Sequence, residues 1–152
     1  MIYVECDSDK ALVKALSIPK KKITCARGKG RVCNRLVKYK NSLGLVDEDP
    51  GHPEPHYIRK LRIILDKDEI RLLYDESNQN HLIILCPELE KWILETTKEV
   101  GENITKYNLS DDLGELYKRI IIRPEKLENL VKDIKNKSKR LKTLEELLKK
   151  FA

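Results

Sequence analysis

The chain has 152 residues and a formal net charge of +6, with 40% apolar and 37% charged residues. That length suits one domain with a sizeable core, and the basic balance favours anionic partners, nucleic acid first. No run of about 18 apolar residues occurs, which excludes a membrane-spanning helix, and the acids in MIYVECDSDK stand where a signal peptide needs an apolar stretch. A cytoplasmic protein is expected, and its Lys- and Glu-rich charge is compatible with a thermophilic source.

Ile2 to Cys6 reads as a short first strand, and Asp7-Ser8-Asp9 offers N-caps for a helix over Ala11 to Leu16. Ile18-Pro19 stops that helix. Ile23 to Ala26 is a second strand, Gly28-Lys29-Gly30 a glycine turn, and Arg31 to Tyr39 a helix with Val32, Leu36 and Val37 inward. Leu43 to Val46 is a third strand that ends abruptly at Asp47-Glu48-Asp49-Pro50-Gly51. The loop GHPEPH follows, then a predicted helix over Tyr57 to Leu65. Ile70 to Tyr74 and Leu82 to Leu85 are strands around the turn Ser77 to Asn80. Pro87 is placed in the first turn of a helix that runs to Val100, with Leu89, Trp92, Ile93 and Thr96 inward.

After Gly101 the pattern is helical throughout. Ser110-Asp111-Asp112 caps one helix, Pro124 opens a second with Leu127, Leu130, Val131 and Ile134 inward, and Leu141 to Phe151 forms the last, with Leu144, Leu147, Leu148 and Phe151 inward. Strands alternating with helices predict an α/β sandwich on a mostly parallel sheet. The expected organisation is an α/β body over residues 1–100 and a basic helical extension over 101–152 packed on it. The four cysteines Cys6, Cys25, Cys33 and Cys86 lack zinc spacing and are expected to be reduced and buried.

Ligands of an open parallel sheet bind at its carboxyl edge. Glu5 ends the first strand, Asp47 and Asp49 end the third, and Asp7 and Asp9 begin the first helix nearby. Such acids repel one another unless a cation sits among them. Hard oxygen donors without His or Cys select Mg²⁺ or Mn²⁺. An extended Asp47-x-Asp49 would point both carboxylates the same way. The plain alternative is a solvated acidic loop with capping aspartates.

Tyr3-Val4-Glu5-Cys6-Asp7-Ser8-Asp9 resembles the opening motif of the Toprim (topoisomerase-primase) family, whose glutamate ends the first strand; Cys6 stands where many members have glycine. Gly44-Leu45-Val46-Asp47-Glu48-Asp49 resembles the family's D-x-D motif, and Glu88-Leu89-Glu90 resembles the acidic-Leu-Glu element of the overcoming-lysogenization-defect nucleases, in which an aspartate four positions after the glutamate, here Asp9, also binds metal. The motif layout is closest to small free-standing Toprim proteins and to those nucleases, and covers about residues 1–100. The resemblance implies a Toprim-like Rossmannoid fold and two-metal phosphodiester hydrolysis. Glu5, Asp47 and Asp49 would be catalytic, with Asp9, Glu88 and Glu90 as further metal ligands.

Lys20 to Lys40 holds nine bases and no acid. Within it, Arg27, Gly28, Lys29, Gly30 and Arg31 form an expected phosphate site, because a helix N-terminus favours anions. Lys118 to Ala152 carries twelve bases against five acids, a second candidate surface for a nucleic-acid backbone. Few aromatic residues argue for backbone contact over base reading. The leading expectation is a Mg²⁺- or Mn²⁺-dependent nuclease acting on DNA or RNA. The rivals are a non-catalytic Toprim binding module and a receiver-like phosphoacceptor domain, which would lack its lysine because Cys86-Pro87-Glu88 follows the last strand. A homodimer, or a protein partner supplying a missing domain, fits a domain of this size.

Overall fold

A computed structural model describes all residues from Met1 to Ala152. Six strands form one sheet: β1 (Ile2–Val4), β2 (Ile23–Cys25), β3 (Leu43–Asp47), β4 (Arg62–Lys67), β5 (Ile70–Asp75) and β6 (Asn80–Leu85). Their spatial order is β2-β1-β3-β6-β5-β4. The first four in that order are parallel, and β5 and β4 continue antiparallel. The fold is therefore α/β on a mostly parallel sheet, as the alternation of strands and helices predicts. The antiparallel pair distinguishes it from the doubly wound 2-1-3-4-5 order of receiver domains.

Alternation along the central strands builds two cores. Ile2, Val4, Leu43, Leu45, Ile83 and Leu85 face a large cluster shared with helices α1 (Asp7–Ala15), α4 (Leu89–Glu99), α5 (Leu113–Ile122), α6 (Pro124–Ile134) and α7 (Lys139–Phe151). Tyr3, Val46, Leu82 and Ile84 face a smaller cluster under α2 (Lys29–Lys38) and α3 (His56–Arg59). Near-continuous apolar strands are what a sheet buried on both faces requires. Gly44 lets α2 approach closely, since a Cβ there would meet Leu82 Cδ1 at 2.8 Å and Leu36 Cδ1 at 2.9 Å. The large cluster runs across position 100 without a break, from Ile93 through Ile104 to Leu148, and α6 packs directly on α1.

Several sequence expectations change. The helix predicted over Tyr57 to Leu65 stops at Arg59, and Arg62–Lys67 is an edge strand with a bulge between Ile63 and Leu65. The connecting turn to β5, Asp68-Glu69, has positive φ at both residues (57° and 55°). This hairpin geometry normally calls for Asn or Gly. Tertiary contacts hold it here: Trp92 Nε1 donates to Asp68 O at 3.1 Å, and Thr143 Oγ1 donates to Asp68 Oδ2 at 2.7 Å. Pro87 lies before α4, after a cis peptide bond, and Glu88 is the N-cap. Val37 is exposed because only Val32, Cys33 and Leu36 of α2 reach the sheet. Leu147 and Phe151 are only partly buried. Cys33 and Cys86 are buried, whereas Cys25, which ends the edge strand β2, is half-buried, and Cys6, just past β1, is exposed as a residue although its thiol is turned inward onto Asp9. No helix is long and apolar enough to cross a membrane.

Candidate metal centre

β1 and β3 are direct neighbours, with Val4 opposite Leu45. The residues that follow them therefore meet at the carboxyl edge. Glu5 Oε2 accepts the Asp47 N–H at 2.7 Å, and Asp47 Oδ1 accepts the Leu89 N–H at the start of α4 at 3.0 Å. The two carboxylates thus tie β1, β3 and α4 together, and each keeps one oxygen free of protein donors. Asp49 does not continue an extended strand, because β3 ends at Asp47 and Asp49 is left-handed (φ 50°). Its N–H donates to Pro87 O at 3.0 Å, which folds the loop back over the edge. Through this turn, not through an extended D-x-D, one carboxylate oxygen each of Glu5, Asp47 and Asp49 comes to lie within 4.8 Å of the others. Glu48, between the two aspartates, points elsewhere and pairs with Arg71 at 2.8 Å.

The remaining sequence candidates surround this trio without joining it. Asp9 is buried, and its Oδ2 accepts the Cys6 N–H at 3.1 Å and the Cys6 thiol at 3.2 Å. Its position is the third of α1, where a carboxylate reaching back to the N-cap N–H is a capping device. The N-cap is Cys6, not one of Asp7, Ser8 or Asp9. Glu88 and Glu90 line the same cleft from the start of α4, which has a volume of about 510 Å³. Gly28, with φ 130°, also lines it, but its N–H is spent on Glu5 O at 3.1 Å. Lys29 Nζ reaches Glu48 O at 2.8 Å, beside the trio. Gly30, Arg27 and Arg31 are exposed, and Arg27 pairs with Asp7 at 3.8 Å.

Sequence reading missed one wall of the cleft. Leu113, Gly114 and Tyr117 of α5 close it opposite the carboxylates. No local motif announces them. They arrive because α5 packs against α1 and α4 in the large core.

No Lys or Arg nitrogen lies within 4 Å of the carboxylates of Glu5, Asp9, Asp47, Asp49, Glu88 or Glu90. Their protonation reflects this. Burial, then repulsion from Asp9, Glu5, Glu90 and Asp49, pushes Asp47 up to about 9. Burial, then Glu5, raises Asp9. Glu5 is raised by burial, opposed by the Asp47 N–H, and Glu90 is raised chiefly by burial. Comparison with protein-family models, curated proteins and solved structures finds no match. The site must therefore be read from its own chemistry.

That chemistry fits a hard divalent cation. The donors that converge are carboxylate oxygens, and none of His52, His56 or His81 lines the cleft. The one nearby sulfur, Cys6 Sγ, is occupied by Asp9, and burial holds its thiol up at about 12. A site of oxygen donors without thiolate or imidazole suits Mg²⁺ or Mn²⁺.

Proposed function

We propose that this chain is a Toprim-like, Mg²⁺- or Mn²⁺-dependent enzyme of nucleic-acid phosphodiester chemistry, in its simplest form a nuclease. The carrying observation is the convergence of Glu5, Asp47 and Asp49 within 4.8 Å at the carboxyl edge, with no basic side chain in a salt bridge to any of them. The order of the Toprim-like motifs along the chain supports the same reading.

Bound there, the cation would supply charge stabilisation at the phosphodiester oxygens and activation of water. The chain's own residues supply position. Glu5 and Asp47 are fixed by backbone N–H groups through one oxygen and offer the other. Asp49 hangs from a left-handed turn and makes no side-chain hydrogen bond, so it can adjust as a ligand. Asp9 and Glu90 sit beside the trio as donors for a second ion. Lys29 fixes the loop through Glu48 O and sets a positive charge near the place a phosphate would occupy.

The test is cleavage of single- and double-stranded DNA and RNA with Mg²⁺ or Mn²⁺, comparing wild type with Asp47→Asn. The expected loss exceeds about 100-fold, because disturbing only the outer partners of metal ligands costs about 10–100-fold. If both proteins are equally inert on every substrate while nucleic-acid binding persists, the domain is a binding module and the enzyme reading falls.

A further inference from the structure

Two stretches of the sequence are strongly basic, and the structure separates them. In the C-terminal third, Arg119, Arg123, Lys132 and Lys149 pair with acids of their own helical stretch, and Lys135 pairs with Glu145. Lys139 pairs with Asp68, and Arg140 with Glu95 and Glu99. These pairs occupy seven of the twelve bases of this stretch and weaken the field that would attract a polyanion, leaving Lys118, Lys126, Lys137, Lys142 and Lys150 without a carboxylate within 4 Å. In the stretch from Lys20 to Lys40, Arg27 pairs with Asp7, and the other eight bases meet no carboxylate within 4 Å.

The unpaired bases are also ordered. Arg31, Arg35 and Lys38 lie at helical spacing along α2, all exposed, opposite the buried Val32, Cys33 and Leu36. Aromatic faces, not acids, hold two of them: Arg35 lies 5.8 Å from the Tyr3 ring centre, and Lys38 lies 5.4 Å from that of Tyr39. The two rings stack at 6.0 Å. Arg35 and Lys38 are thereby positioned with their charge intact, and Arg31 lies on the same helix face without an acidic partner. At about 1.5 Å per residue they span about 10 Å, close to three nucleotides of a strand at about 3.4 Å each. The helix begins at Gly28, in the wall of the carboxylate cleft.

We infer that a nucleic-acid strand is held along α2 by Arg31, Arg35 and Lys38 and enters the carboxylate cleft at Gly28, and that the basic C-terminal helices do not hold it. The entry into the cleft rests on the proposed phosphodiester chemistry; the track itself does not. A membrane surface fits less well, because an interfacial helix needs an apolar face beside its bases, and the apolar face of α2 is turned into the protein, leaving Val37 alone outside.

The experiment is an anisotropy titration of a labelled single-stranded oligonucleotide across a salt series, without divalent cation. It uses the full chain, R31Q/R35Q/K38Q and K132Q/K142Q/K149Q, with circular dichroism to confirm equal folding. The α2 variant is expected to lower the slope of log affinity against log salt by about 2, from about 0.7 per phosphate contact, and to bind at least roughly tenfold more weakly. The C-terminal variant is expected to match wild type. An unchanged α2 variant, or a C-terminal variant that alone loses binding, overturns the track. So does a wild type that binds no oligonucleotide, including one that instead binds phosphatidylserine vesicles through α2. Cleavage with Mn²⁺ is scored separately. Cleavage by wild type with an unchanged KM in the α2 variant removes the track and keeps the chemistry. Binding lost in the α2 variant, without cleavage by wild type, does the reverse.

Discussion

The two ends of the sheet treat buried polar groups in opposite ways. At the amino edge, Asn80 is fully buried and wholly satisfied: its Nδ2 donates to Leu36 O at 2.6 Å and Tyr39 O at 2.8 Å, and its Oδ1 accepts the Ser42 N–H at 2.8 Å. Asn78 adds donations to Leu36 O and Val37 O, so the last carbonyls of α2 have partners. At the carboxyl edge, Asp47 is half-buried among like charges, and free oxygens of the trio converge. A satisfied buried network holds a fold together; a buried group without its counter-charge costs free energy unless something binds it. Helix α2 runs from one regime to the other, capped by asparagines at one end and opening on the cleft at the other.

The largest effects should come from reversing that contrast. Asn80→Ala leaves Tyr39 O and Ser42 N without partners, while Leu36 O keeps Asn78; at about 1 kcal/mol or more for each group left without one, it should destabilise the protein by about 2 kcal/mol in denaturant unfolding whether or not metal is present. Asp47→Asn should do the opposite. Without metal at neutral pH, wild-type Asp47 is protonated in the folded state but ionised in the unfolded chain; Asn ionises in neither, so the substitution removes that advantage of the unfolded state and should stabilise the fold by at least about 1 kcal/mol, since one unit of pKa shift corresponds to about 1.4 kcal/mol. It should also abolish the rise in thermal midpoint that Mn²⁺ gives the wild type. A destabilised Asp47→Asn protein that still responds to Mn²⁺ would mean that the two edges do not differ in kind.

The pH dependence follows with a definite sign. The unfolded chain ionises Asp47 near its ordinary value of about 3.9, whereas the folded protein holds that proton until about 9. Between these limits the folded state binds more protons, so metal-free stability should fall as pH rises from about 4 and level off above about 9. Bound cation displaces those protons, so Mn²⁺ affinity should climb over the same range and flatten the stability profile. A metal-free profile that rises from pH 5 to 8 would contradict the clustering of charge. In Asp47→Asn the slope should shrink.

The contrast also explains what could be read from the sequence. The parallel β-α-β-α-β opening and the placing of Glu5 and Asp47 at strand ends are local consequences of apolar runs that end in acids; the pairing of β1 with β3, which brings those ends together, is set by the sheet. Asp49 arrives by a left-handed turn that an Asp-Glu-Asp sequence does not announce, because Pro87 O, far along the chain, fixes it. The Asp68-Glu69 hairpin was hidden for the same reason: its unfavourable φ values are held by Trp92 and Thr143. Asn80 passed as a turn residue, since nothing local shows that the end of α2 lies above it. Tyr117 entered the cleft only through packing of α5. The local half of the site was legible, and the half set by tertiary partners was not.

The smallest expected effect marks where the unsatisfied edge stops. Glu88 and Glu90 share the α4 start, yet only Glu90 is buried, and that burial is the chief cause that raises it. Glu88 caps the helix from the rim, half-buried. Glu90→Gln should therefore stabilise the metal-free protein by less than about 1 kcal/mol, and Glu88→Gln should stay within about 0.5 kcal/mol of wild type, as surface changes usually do. Calorimetric Mn²⁺ titration sharpens the point. If Glu90 holds a second ion, Glu90→Gln loses the weaker binding event and keeps the tighter one, which belongs to Glu5, Asp47 and Asp49. If both substitutions leave stoichiometry and affinity untouched, the trio binds alone, and the acids of α4 belong with the structural groups of the other edge.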